Sequence, residues 1–447
     1  MNDSIELLRS LLEQRNYVAL KNALRDLNEV DAATFLGSLE GEQATLAFRL
    51  LPKEAAAEVF SNLEPETQQV IISAISDREL KAVIADLAMD DTVDMLEEMP
   101  AGIVKRVLKT ASADMRQTIN QFLNYPENST GSIMTVEYTD LRKAMTVREA
   151  IKHIRTVGEE SEQIYTCYVT NGSRRLDGVV TVKELLLAGD GETVESLMTT
   201  DVITATTTDD REETARIMMK YDLLALPVVD HEKRLVGLVT ADDVMDVMQQ
   251  EATEDFQKMA AMTPSEKPYL KTSVFEMARH RIVWLLALML SAMITGGILG
   301  KYEAAFAAMP LLVTFIPMLT DTGGNSGSQS STLVIRGMAV GEVSPRDALK
   351  VMWKEMRVGL LVGVALSLVN FARVALQYPG QTTVALVVSM SMVVTVVVAK
   401  MIGGLLPLAA RKLGLDPAIM AAPLITTVVD ALSLIVYFSF AQAMLGL

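Results

Sequence analysis

Residues 271–447 contain five apolar stretches, at about 281–300, 305–335, 357–376, 383–410 and 418–446. About 20 apolar residues suffice to cross a bilayer as a helix. Lipid offers backbone groups no hydrogen bonds, so each crossing must satisfy its own. The pattern predicts an all-α membrane domain of five transmembrane helices. Basic residues gather before the first stretch (Lys271, Arg279, Arg281), between the second and third (Arg336, Arg346, Lys350, Lys354, Arg357) and between the fourth and fifth (Arg411, Lys412). Positive charge marks cytosolic loops, which predicts a multi-pass plasma (inner) membrane protein with a cytosolic N-terminus and an external C-terminus.

The rest of the chain has the opposite character. Residues 1–270 carry a net charge of −21, against +5 for residues 271–447. An acidic body of this kind repels nucleic acid and anionic lipid and attracts cations, which argues against a nucleic-acid partner. Cys167 is the sole cysteine, and His153, His231 and His280 lie far apart. No disulfide framework or zinc spacing arises from them. The start, Met1 to Glu6, lacks a basic and then apolar leader, predicting no cleaved secretory signal.

Short amphipathic helices fill residues 1–125: Ile5–Gln14, Val18–Leu27, Asp31–Leu39, Gly41–Leu51, Lys53–Asn62, Glu64–Ile75 and Asp77–Leu87. Their steady spacing predicts an all-α superhelical solenoid over 1–130. Its acidic knot comprises Asp90, Asp91, Asp94, Glu97 and Glu98. Residues 131–250 repeat: Ser132-Ile133-Met134-Thr135 returns as Ser196-Leu197-Met198-Thr199, and Gly178-Val179-Val180-Thr181 as Gly237-Leu238-Val239-Thr240. Strand, turn and helix in each copy predict two small α/β units. This resembles a tandem pair of cystathionine-β-synthase (CBS) motifs, the first copy degenerate, and the resemblance implies a ligand-sensing, dimerising module.

An acidic linker helix is expected at Ala241–Met259, within a linker spanning 241–270. It carries Asp242, Asp243, Asp246, Glu251, Glu254 and Asp255. Asp243, Asp246 and Glu254 share a face, and Glu251 and Asp255 are four apart. Like charges so placed repel, so the run is either a solvated face or one that divalent cations bridge; carboxylates and water suit Mg²⁺ or Ca²⁺.

Two membrane stretches carry polar groups that lipid does not tolerate. The second contains Thr320-Asp321-Thr322-Gly323-Gly324-Asn325-Ser326-Gly327-Ser328-Gln329. Such a segment faces either a close helix-packing seam or a water-filled cavity. The fifth places Pro423, Thr426, Thr427, Asp430, Ser433 and Tyr437 three or four apart, a polar stripe on an apolar helix. A mid-bilayer carboxylate must face water, an ion or a partner. The stripe reads as the wall of a cation path.

The Gly324-to-Gln329 segment, together with Asp416-Pro417 and Pro423-to-Asp430, resembles the MgtE family of magnesium channels. So does the order of acidic helical domain, CBS pair, linker and five spans, over essentially the whole chain. The resemblance implies a non-enzymatic homodimer that imports Mg²⁺ down the membrane potential through a pore between subunits. Asp430 would select the hydrated ion. Asp321, Gly324, Asn325, Ser328, Gln329, Asp416, Pro423, Thr426, Thr427 and Ser433 would line the pore. Cytosolic Mg²⁺ held by Asp90, Asp91, Asp94, Asp243, Asp246, Glu251, Glu254 and Asp255 would keep it shut, with the linker as a plug. ATP at the CBS pair is a further expectation. Alternatives are transport of Co²⁺, Mn²⁺ or Ni²⁺ and a nucleotide-regulated ion channel. An intramembrane aspartyl protease, suggested by Asp321-Thr322-Gly323, lacks a Gly-x-Gly-Asp signature and leaves the acidic region unexplained.

Overall fold

The structure, a computed structural model, describes residues 2–158, 161–265, 267–420 and 422–446. It divides into two compact units, Met1–Met248 and Gln249–Leu447.

The first unit begins with ten short helices: α1 (Asn2–Glu13), α2 (Tyr17–Arg25), α3 (Glu29–Gly37), α4 (Gly41–Leu50), α5 (Lys53–Ser61), α6 (Pro65–Ala74), α7 (Asp77–Asp86), α8 (Met89–Glu97), α9 (Ala101–Thr110) and α10 (Ala113–Phe122). Their starts are written in the sequence. Pro52 and Pro100 precede α5 and α9, and Pro65 opens α6. Proline's fixed φ and missing N–H suit a helix start. Ser76 and Glu79 cap α7 reciprocally. Helices two apart in sequence pack together, α3 on α5, α5 on α7 and α7 on α9. This is the expected superhelix, cored by Phe35, Phe60, Ile71, Ile72 and Phe122.

The repeated region forms two three-stranded sheets of the same topology. The first is β1 (Tyr138–Leu141), β2 (Gln163–Thr170) and β3 (Leu176–Thr181), with α11 (Val147–Val157) between β1 and β2 and α12 (Val182–Leu187) after β3. A short helix α13 (Val194–Leu197) leads into the second copy, β4 (Ala205–Thr206), α14 (Arg211–Lys220), β5 (Ala225–Val229) and β6 (Leu235–Thr240). Each sheet pairs its first two strands parallel and its last two antiparallel. The repeated motifs serve exchange between copies. Thr135 and Leu238 trade backbone hydrogen bonds at 2.8 and 2.9 Å, and Val179 and Thr199 do the same. The repeated glycines make room for this. A Cβ on Gly237 would lie 2.5 Å from Thr135 O, and one on Gly178 would lie 2.8 Å from Thr199 O.

The long helix α15 (Ala241–Met259) has the bounds expected from sequence, and the division between units falls within it. The second unit continues with α16 (Val274–Lys301), α17 (Glu303–Ala308), a 3₁₀ turn at Pro310–Phe315, α18 (Ile316–Ala339), α19 (Ala348–Gln377), α20 (Thr382–Lys412) and α21 (Ala422–Leu445). Among the described residues four helical segments, those of α16, α19, α20 and α21, are long and apolar enough to cross a membrane. The expected second span, 305–335, is not one helix. Pro310 and Pro317 divide it into α17, the turn and α18. The 24 residues of α18 reach about 36 Å, long enough to span, but they are too polar to count as apolar. α18 packs between α20 and α21. A Cβ on Gly403 would fall 2.1 Å from Gly327 O, so α18 and α20 touch backbone to backbone there.

Candidate functional site

Two groups of chemistry-bearing residues emerge, one in each unit. In the first, α8 begins with Met89-Asp90-Asp91, which puts two carboxylates in its first turn, and Asp94 lies one turn on. A helix N-terminus favours negative charge. Here burial outweighs that preference, because Asp90 is only 8% exposed. Burial first, and then the charge of Asp91, pushes the Asp90 carboxyl up to about 7. Burial and Asp90 raise Asp94 to about 7, and burial and Asp243 raise Asp91 to about 6. Asp243, which accepts from Thr240 Oγ1 at 2.5 Å at the start of α15, is raised to about 7 by burial and Asp90.

Two members of this cluster were not anticipated from sequence. Glu162 is raised to about 8 by burial and by Asp90, Glu137, Asp242 and Asp243. Burial likewise raises Glu137. Glu137 follows the first copy of the Met-Thr motif, and Glu162 precedes β2 by one residue. No spacing rule ties them to Asp90; only the folded CBS pair brings them to α8. Carboxylates crowded together in this way avoid charge by holding protons. Yet among the described residues no three of them converge as a ready-made cage for a bare metal ion. An ion held largely through its own water fits such a loose arrangement, as Mg²⁺ prefers.

The other linker carboxylates are not part of this cluster. Asp246 is exposed. Glu254 pairs with Lys258, whose Nζ also donates to Asp416 Oδ2 at 2.6 Å. Partial burial opposes that lysine's charge, but the hydrogen bonds to Asp416 and Glu254 outweigh it and hold the proton more firmly. Asp416 also accepts from Ala418 N at 2.8 Å, capping the turn before α21. Both oxygens of Asp416, expected on the pore wall, thus serve the ion pair and the cap. Glu251 and Asp255 lie half-buried on the same helix end.

In the second unit, α18 has two faces of different use. Gly323, Gly324, Ser326, Gly327, Ser330 and Ser331 are buried, whereas Asp321, Asn325 and Gln329, four apart, are exposed, with Ser328 half-buried beside them. The buried face is the close helix-packing seam that the sequence allowed. A Cβ on Gly324 would lie 2.9 Å from Thr426 Cγ2, so Gly324 belongs to the seam. Ser433 also departs from the expected stripe: it is 1% exposed, abuts Gly323 and donates to Val429 O at 2.7 Å. Tyr437 is buried, its hydroxyl donating to Leu312 O at 3.0 Å. Thr426 and Thr427 donate to Pro423 O at 2.9 and 3.1 Å, which leaves hydroxyl lone pairs for other donors. Asp430 is half-buried one turn beyond them.

The chain matches three family descriptions in order: the MgtE intracellular N domain at 27–128, a CBS domain at 194–250, and MgtE, divalent cation transporter, at 316–440. The magnesium transporter MgtE of Thermus thermophilus is 36% identical over 442 residues, covering 98% of each chain. That of Bacillus subtilis is 32% identical, covering 95% of this chain and 93% of its own. Among solved structures, the cytosolic domain of the Mg²⁺ channel MgtE in complex with ATP aligns at a TM-score of 0.52 and 35% identity, over 54% of this chain and 98% of that one. The soluble part of a magnesium transporter aligns at 0.53 and 25%, over 56% and 99%. Helical solenoid, CBS pair and polar-faced membrane bundle thus recur in the same order along nearly full-length relatives, and the chain is a multi-pass membrane protein of the MgtE family, a family of transporters and not of enzymes.

Proposed function

We propose that this chain is a homodimeric Mg²⁺ channel importing the ion down an inside-negative potential, and that cytosolic Mg²⁺ closes it. The observation that carries the pore is Asp430, half-buried in an apolar helix beside the exposed Asp321, Asn325 and Gln329 face of α18. Pro423, Thr426 and Thr427 extend the wall. Mg²⁺ sheds water reluctantly, so hydroxyls, amides and a carboxylate from each subunit would hold the aquo-ion through water. A potential of 100 mV favours entry of a divalent ion by about 4.6 kcal/mol, so no nucleotide hydrolysis is required.

The gate rests on the carboxylates of 1–130, 131–250 and the 241–270 linker. With Asp90 buried, Asp91 and Asp243 half-buried and Asp94 at the exposed edge beside them, cytosolic Mg²⁺ would stabilise their closed packing, a population shift set by its differential affinity for that state. Asp246, Glu251, Glu254 and Asp255 would add weaker sites. The positive-inside loops support a cytosolic soluble region and an external C-terminus. The ATP complex of a relative's cytosolic domain supports a second, regulatory ligand at the CBS pair, which calorimetry with ATP and with Mg²⁺ separately would test.

The decisive experiment is Mg²⁺ influx into liposomes under an inside-negative potential, for wild type and Asp430→Ala, at low and high Mg²⁺ on the cytosolic face. Flux that needs Asp430 and falls at high cytosolic Mg²⁺ is expected. Flux of Co²⁺, Mn²⁺ or Ni²⁺ but not Mg²⁺ would overturn the choice of ion, and flux indifferent to cytosolic Mg²⁺ would remove the gate.

A further inference from the structure

Lys400 lies well inside α20 and is 4% exposed. Its Nζ is 3.5 Å from Ser326 O, Gln329 Oε1 and Ser330 Oγ, all on α18. Ser330 Oγ in turn donates to Glu355 Oε2 on α19 at 2.6 Å. A Cβ on Gly404 would lie 3.1 Å from Glu355 Cγ, so that carboxylate is packed against α20 close to Lys400. An ammonium and a carboxylate thus stand either side of one serine, which is how a membrane bundle tolerates either charge.

A staple of three helices would need only Ser326, Ser330 and Glu355. The contact with Gln329 goes further, because Gln329 is on the exposed face with Asp321 and Asn325. An ammonium only donates. Gln329 therefore turns its amide oxygen inward to Lys400, which leaves its N–H₂ for the open face. The position along α18 also matters. Gly323 abuts Val429 and Ser433, the residues flanking Asp430, while Lys400 sits against Ser326 to Ser330, towards the basic end of α18. The two charged groups are therefore separated by one to two turns, about 5–10 Å along the helix.

We propose that Lys400 tunes how tightly the path holds its ion, its charge reaching the path through Gln329. A divalent ion drawn to Asp430 must bind weakly enough to leave. A positive charge one to two turns further on lowers its affinity and discourages a second ion behind it. The proposal rests on the reading of Asp430 as part of the path.

The test uses the full chain in liposomes, with Lys400→Met, Lys400→Arg and the double variant Lys400→Met, Glu355→Gln, and Asp430→Ala as control. Lys400→Met is expected to lower the half-saturating Mg²⁺ concentration by up to roughly fivefold, the bound for a unit charge acting on a divalent ion at that range with Glu355 beyond Ser330 offsetting part of it, and to lower maximal flux as well. Lys400→Arg should stay near wild type in half-saturation. The double variant should regain thermal stability lost on removing one charge, while its half-saturation stays below wild type, because Lys400 reaches the path through Gln329 and Glu355 lies behind Ser330. Restoration of both would reduce Lys400 to a structural staple and overturn the proposal, as would an unchanged half-saturation in both variants. Wild-type flux in Asp430→Ala would instead sink the path reading, and this proposal with it.

Discussion

Asp90 and Lys400 are buried to a similar degree, 8% and 4% exposed, in surroundings of opposite electrical character. Around Asp90 stand Asp91, Asp94, Asp243, Glu137 and Glu162, and burial and mutual repulsion push these carboxyls towards neutral pH. Around Lys400 stand a serine, an amide and, beyond the serine, the carboxylate of Glu355. The membrane cluster carries its own compensation and is complete in itself. The α8 cluster is not: its carboxyls are pushed up by burial and by one another, which favours their holding protons. On the proposed gating, the first would hold its shape and the second would respond to what the solvent contains.

The largest effect should come from the seam that positions the membrane cluster. Gly403→Leu drives a side chain into Gly327 O, where even a Cβ would lie 2.1 Å away. Overpacking at a backbone contact costs about 3 kcal/mol or more, so little folded full-length protein should be recovered in detergent. A normal yield and melting temperature would mean that α18 and α20 separate freely and that the cluster is not fixed by their contact.

Next come two isosteric neutralisations with opposite signs. Glu355→Gln leaves Lys400 without its compensating charge and should destabilise the chain by about 3 kcal/mol. Asp90→Asn removes a charge from a crowd of like charges and should stabilise the chelator-treated protein by about 1–2 kcal/mol at pH 8, while weakening its stabilisation by added Mg²⁺. Thermal unfolding with and without Mg²⁺ checks both. Equal signs for the two variants would abolish the distinction drawn between the clusters.

These sites were unequally legible in the sequence. Bounds of α1 to α7 and of α15 followed from periodicity, caps and prolines, because those signals are local. The CBS pair followed from a repeat whose glycines have a steric cause. Asp430 stood out because lipid penalises a carboxylate wherever the rest of the chain lies. Glu137 and Glu162 were illegible, since only tertiary packing joins them to α8. Lys400 carried a legible signal, a lone lysine inside an apolar stretch, whereas the basic residues at the helix ends report only topology. Glu355 carried no such signal, since it lies among the basic residues that mark a cytosolic loop. Ser433 had the spacing of the polar stripe and Asp416 came only with the family resemblance; neither local signal foretold the seam at Gly323 or the ion pair with Lys258.

The pH response sharpens the comparison further. The raised carboxyls mean that the folded state binds more protons than the unfolded chain between about pH 4 and 8. Stability without divalent ions should therefore fall as pH rises across that window. Mg²⁺ needs the carboxylates deprotonated, so its binding at pH 7 should release protons and tighten as pH rises towards 8. Calorimetry in buffers of different ionisation enthalpy reads that release directly. No buffer dependence at pH 7 would place the bound ions elsewhere.

The smallest effect belongs to Lys258, which holds Asp416 at 2.6 Å and also pairs with Glu254. Its side chain is 23% exposed and that of Asp416 is 30%, so solvent screens the pair. Lys258→Met should cost about 1 kcal/mol or less in thermal stability, and less still in high salt. The functional readout is the more telling one. Lys258 is the cation that keeps Glu254 and Asp416 from repelling each other; once it is gone, a divalent ion is the remaining means of bridging them. The variant should therefore depend more on Mg²⁺ for its stability than wild type does. An equal Mg²⁺-induced shift in melting temperature for both proteins would show that the pair is ordinary surface electrostatics.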